Sequence, residues 1–170
     1  MDAAGSRSLT GRMVGAALLK LDTYEEVEAD RRATGQAAAV VAMAAAAQGV
    51  GVSGGGLAGI VGGVAATLAG WGLWAGVTYL VGDKLFGGTA TWGELLRTLG
   101  FAHAPSLLLV LAVVPVLGWG VRAVVGIWML VAGFIAIRQA LDFGNGKTFL
   151  TVLVGWVLVA VLYALVGVGP

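Results

Sequence analysis

Leu57-Ala-Gly-Ile-Val-Gly-Gly-Val-Ala-Ala-Thr-Leu-Ala-Gly-Trp-Gly-Leu-Trp-Ala-Gly-Val-Thr-Tyr-Leu-Val81 runs for 25 residues without a charge. A bilayer core takes about 20 apolar residues as a helix, and an unpaired backbone amide in hydrocarbon costs several kcal/mol. The stretch is therefore read as a membrane-spanning helix. Four more apolar blocks surround it, at about 36–52, 101–117, 119–137 and 147–166. The composition agrees, with 59% apolar residues, 11% charged residues and a mean hydropathy of +0.94 over 170 residues. A soluble domain carries roughly a quarter charged residues. The expected fold is all-α: a polytopic integral membrane protein, a five-helix transmembrane bundle with a short N-terminal amphipathic helix.

The charges are segregated. Residues 1–35 hold 11 of the 19 charged side chains and form an N-terminal segment, with the five-span domain at 36–170. Met13, Val14, Ala17, Leu18 and Leu21 recur at helical spacing between Arg12 and Lys20. That pattern suits a helix on the membrane surface or one packed on the protein's own loops. The segment lacks the unbroken apolar run of a cleavable signal. Five spans place nine of the ten basic residues on one side and only Arg122 on the other. By the positive-inside rule this is a cytoplasmic N-terminus and an extracytoplasmic C-terminus. A four-span rival, with 36–52 re-entrant, breaks that split. The turn at 82–89 leads to Thr91, which with Glu94 is expected to form a capping box. The link between spans three and four is placed at Gly118–Arg122.

Several function classes are excluded or disfavoured. The net charge of +1 offers no clustered basic face for nucleic acid, and the lack of cysteine removes thiolate chemistry. Gly49-Val-Gly51-Val-Ser-Gly54 lacks the βαβ context of a dinucleotide site, and Gly146-Lys147-Thr148 lacks the first glycine of a phosphate loop. Lys147 is instead expected at a helix start on the inner interface. No acid or base is placed in the middle of a span, and no catalytic residue, metal or cofactor is called for. His103, the only histidine, is a ligand candidate, and is otherwise an interface histidine bonded to a carbonyl. Gly51, Gly55, Gly59 and Gly63, with Thr67 next, make a small-residue face for close helix packing, within the chain or between copies.

The cytoplasmic lead Arg12-Met-Val-Gly-Ala-Ala-Leu-Leu-Lys-Leu-Asp-Thr-Tyr-Glu-Glu-Val-Glu-Ala-Asp30, followed by Ala33-Thr-Gly-Gln36, resembles bacterial members of the Yip-one domain family. So do Thr91-Trp-Gly-Glu-Leu-Leu-Arg-Thr-Leu-Gly-Phe-Ala-His-Ala-Pro105 and the segment from Ile127 to Asp142. The family is named for eukaryotic relatives that bind Ypt/Rab GTPases. The resemblance implies a five-span helical domain acting by protein or lipid contacts in a bacterial inner membrane. On that reading the protein is a non-enzymatic scaffold. Glu25, Glu26, Glu28, Asp30, Arg31, Arg32, Arg138, Asp142 and Lys147 are its cytoplasmic interaction candidates. The partners expected are membrane lipid and other membrane subunits or a second copy. The alternative is an accessory subunit of a larger energy-converting or secretory complex, contacting pigment or lipid. A small transporter or channel stands third, since Gln48, Thr67 and His103 are few polar groups for a path.

Overall fold

The computed structural model describes residues 7–53 and 56–166, so Gly55 lies outside the described residues. These residues are helical, with no strand among them. The helices are α1 (Leu9–Ala17), α2 (Leu21–Ala29), α3 (Ala33–Gln48), α4 (Leu57–Tyr79), α5 (Trp92–Phe101), α6 (Pro115–Ala140) and α7 (Asn145–Val166). Gly49–Ser53 and Leu80–Leu85 prolong α3 and α4 as π-helix, and Ala104–Val113 follows α5 as a long 3₁₀ segment. Five stretches are long and apolar enough to cross a membrane: Ala33–Gly51, Leu57–Leu85, Trp92–Val113, Pro115–Ala140 and Asn145–Leu162. The chain is a multi-pass membrane protein.

The alanine-rich α3 is an interior helix. Ala33, Ala37, Val40, Val41 and Ala44 are buried along it. A Cβ built on Gly100 would lie 2.6 Å from the Cβ of Ala37, so α3 and α5 touch almost backbone to backbone. Small side chains allow that approach, and dispersion between close backbones holds membrane helices together. The same alanines keep the mean hydropathy of this span at 1.2, the lowest of the five.

The third and fourth apolar blocks divide differently from the expectation. Thr91 and Glu94 do form the capping box. The helix it opens, α5, is the first half of the third span, not a separate short helix. The chain then turns at Val114, which is extended (φ −79°, ψ 113°), and α6 begins at Pro115. A proline ring disfavours the helical region for the residue before it and suits the first helical position itself. Gly118 and Arg122 are therefore inside α6. Gly118 acts as a close-approach residue, since a Cβ there would sit 2.9 Å from the carbonyl oxygen of Ala112. Helical rows also carry charges that the apolar blocks hid: Arg97 is the sixth residue of the third span and Arg122 the eighth of the fourth.

The N-terminal helices fold as a hairpin against the bundle. Ser8 caps α1 through the Gly11 amide. Leu19, at φ 59°, closes α1 by a Schellman motif, with Leu19 N–H on the Ala16 carbonyl and Lys20 N–H on that of Gly15. Gly15 is pressed on Thr23, where a Cβ would meet Oγ1 at 2.3 Å. Arg12 and Ala16 face inward, while Val14 and Leu18 remain 53% and 59% exposed. Trp128, near the middle of α6, donates its indole N–H to the Ala17 carbonyl at 2.8 Å. The end of α1 thus reaches about halfway along α6, which is deeper than a helix resting on loops. Its apolar outer side is free for the membrane interface.

Candidate functional site at the charged end of the bundle

Asp22, Glu26 and Asp30 recur every four residues and so share one face of α2. That face meets the arginines of the preceding segment. Arg7 pairs with Asp22 at 2.5 Å and with Glu26 at 3.4 Å. Arg12, 1% exposed, reaches Asp30 at 2.7 Å, Glu26 at 3.1 Å and the Gln36 amide oxygen at 2.8 Å. Every arm of this buried guanidinium is occupied, which is the condition under which a buried charge is tolerated. The Arg12 side chain holds the Asp30 carboxyl below its ordinary range, helped by the Arg32 backbone amide.

A second arginine anchors the other side of α2. Arg97, 5% exposed, donates through Nε to the carbonyls of Val27 and Glu28 at 3.0 Å, and through Nη2 to Glu28 as well. These carbonyls belong to the last turn of α2, where a cation complements the unsatisfied C-terminal groups. Tyr24, also buried, donates its hydroxyl to the Ala16 carbonyl. Arg12 and Arg97 are the residues that hold the hairpin, yet neither stands out in the sequence. The signal that points to them is the four-residue spacing of Asp22, Glu26 and Asp30.

The sequence candidates consequently separate into two groups. Glu26 and Asp30 are committed to Arg7 and Arg12. Glu28 is half-buried, and its carboxyl is pushed up to about 7, first by burial and then by Glu94 and Asp142. Glu25, Arg31, Arg32, Asp142 and Lys147 are exposed, and Arg138 is partly so. Contacts between distant segments gather them at one end. Gln139 donates to Glu25 at 3.2 Å, Thr89 to Asp142 at 2.9 Å, and Lys147 to the Phe86 carbonyl at 3.4 Å. Asp142 sits at φ 52°, a left-handed position at the end of α6, and Asn145 opens α7.

The raised Glu28 carboxyl makes hairpin docking pH-dependent. The docked state binds the Glu28 proton more tightly than the undocked one, so docking weakens as pH rises from about 4.5 to about 7. The protection of the α2 amides from hydrogen exchange in detergent, taken relative to the intrinsic base-catalysed rate at each pH, should fall over that window. Glu28→Gln should flatten the dependence, and an unchanged slope in that variant would assign it to another group.

The glycine candidates are not used alike. A Cβ on Gly51 would lie 1.7 Å from the Leu109 carbonyl oxygen, whereas Gly59 and Gly63 have nothing within 4 Å. Thr67 donates to its own helix, on the Gly63 carbonyl at 2.8 Å. His103 lies away from the charged end, with Nδ1 2.8 Å from the Leu99 carbonyl. It lines a cavity of about 360 Å³ that also gathers Gln48, Thr67, Ser106 and Arg122. No cluster of metal-ligating side chains occurs among the described residues.

The profile of the Yip1 domain matches residues 22–168. The chain belongs to the Yip1 domain family. That is a family of non-enzymatic membrane proteins, and the match takes in α2, the five spans and the exposed charges at their end. No curated protein and no solved structure gives a significant match.

Proposed function

We propose that this Yip1 domain protein is a membrane scaffold, acting by contact and not by catalysis, and that its docking face is the charged end of the bundle. The observation that supports this is the separation of roles on α2 and its surroundings. One set of charges locks the hairpin, and a second set (Glu25, Arg31, Arg32, Arg138, Asp142 and Lys147) stays at least partly exposed on the surface so formed. The nine-to-one distribution of basic residues supports a cytoplasmic position for that face, and the bacterial inner membrane as its setting belongs to the same proposal. Rim charges of this kind act on encounter rate and partner choice more than on the stability of the spans.

The test uses only the free set. Arg31→Glu with Arg32→Glu should abolish in-cell crosslinking from a photoreactive residue at position 25, while the thermal midpoint of the purified protein stays within about 1–2 °C of the parent. Crosslinks that persist unchanged would remove this face from the proposal. Reversal of Glu26 or Asp30 is unsuitable, because it would undock the hairpin itself.

A second reading, as an accessory subunit or self-associating protein, is favoured by α4. Gly59, Gly62, Gly63 and Gly70 leave its surface open, with nothing near their built Cβ positions. Native mass in mild detergent separates the two readings: a stoichiometric assembly supports this one, a lone chain the scaffold.

A further inference from the structure

The cavity beside His103 gathers polar side chains away from the charged end of the bundle. Its lining comes from five segments: Gln48 ends α3, Thr67 is on α4, His103 follows α5, Ser106 is in the 3₁₀ segment and Arg122 is on α6. The 3₁₀ geometry matters here, because side chains three apart eclipse. Ser106 and Leu109 therefore face the cavity together, while Leu108 and Leu111 turn to an apolar groove on the other side. Arg122 is seven residues into α6, about 10 Å along the axis from Pro115, and about 26 Å from Gln139 at the charged end.

Arg122 has no carboxylate within ion-pair distance among the described residues. The sequence offers none nearby either. All nine acids lie at positions 2–30, 83, 94 and 142, outside every segment that lines the cavity. An arginine cannot shed its proton in a protein, and Arg122 is exposed about two turns into α6, so its charge is open to an anion from outside the chain. The other polar groups narrow what that anion is. Ser106 already donates to the His103 carbonyl at 2.6 Å and Thr67 to that of Gly63. The Leu99 carbonyl can only accept, so the His103 Nδ1 carries the hydrogen and Nε2 of the neutral ring is an acceptor. The cavity therefore presents an exposed cation, a ring acceptor and the exposed Gln48 amide.

We propose that this cavity binds a phosphate that also carries a hydroxyl, with its anionic oxygens on Arg122 and its O–H donated to His103 Nε2. A phospholipid headgroup with a free hydroxyl and the hydrogen phosphate ion share that chemistry. An arginine fork matches phosphate oxygens in shape as well as charge, and the Gln48 amide completes the recognition.

The probes are phosphatidylglycerol, phosphatidylcholine and inorganic phosphate, each added to the whole chain in neutral detergent while thermal unfolding is followed. Phosphatidylglycerol raising the midpoint well beyond phosphatidylcholine supports a lipid in the site, and a rise with inorganic phosphate supports the free ion. Arg122→Gln should weaken the effective ligand by at least about tenfold, and Gln48→Leu should weaken it less. Lys20→Gln, the same charge change at the α1–α2 turn, should leave it unaltered. Equal midpoints with all three probes, or a gain that survives Arg122→Gln, would overturn the proposal.

Discussion

Replacing Arg12 by alanine is expected to release the α1–α2 hairpin while the five spans stay folded. The side chain is 1% exposed and satisfies Glu26, Asp30 and Gln36 together. Losing these bonds costs about 1–3 kcal/mol, since Glu26 keeps Arg7 and both carboxylates are about a quarter exposed and can hydrate. The other polar anchors of the docked hairpin are Arg7 on Asp22 and Glu26, Arg97 on the end of α2, Gln139 on Glu25, Tyr24 on Ala16 and Trp128 on Ala17. Limited proteolysis in detergent should cut the variant within residues 9–32 at least about tenfold faster than the parent. Arg12→Lys should recover only part of the protection, since an ammonium cannot reach three acceptors with the fixed fork of a guanidinium. Cleavage at the parent rate in Arg12→Ala would mean that the apolar contacts of Ala16, Tyr24 and Val27 hold the hairpin unaided.

Gly51→Ala should damage the bundle, and Gly59→Ala should not. The two glycines occupy equivalent places in the four-residue repeat along this part of the sequence. A Cβ on Gly51 would meet the Leu109 carbonyl oxygen at 1.7 Å. Backbone cannot swing aside as a side chain does, so the π-helical end of α3 would have to separate from the 3₁₀ segment. Overpacking costs about 1–3 kcal/mol and sometimes more. Gly59 faces open space, so alanine there gains up to about 1 kcal/mol of helix propensity. Thermal unfolding in one detergent would compare them. Equal midpoints would show that the approach of Gly51 to Leu109 carries no weight in the fold.

The charge-free run from Leu57 and the four other apolar blocks determine that this chain lives in lipid, because hydrocarbon admits few other solutions for a backbone. The nine-to-one basic split and the Thr91–Glu94 capping box were equally legible, since both depend on local chemistry alone. Residue spacing also showed that Asp22, Glu26 and Asp30 share a face. It could not show that Arg7 and Arg12 meet that face, which converts half of an apparent surface patch into an internal lock. The same limit applies to the glycines: one repeat holds Gly51, wedged against a carbonyl, and Gly59, open on both sides. His103, Gln48 and Thr67 read along the chain as sparse polar residues. They become one cavity with Arg122 only because α3, α4 and α6 converge on the 3₁₀ segment that opens at Ala104. Composition and period are properties of a segment and follow from its solvent. Pairing, close approach and enclosure depend on the distance between segments, and only tertiary packing sets that.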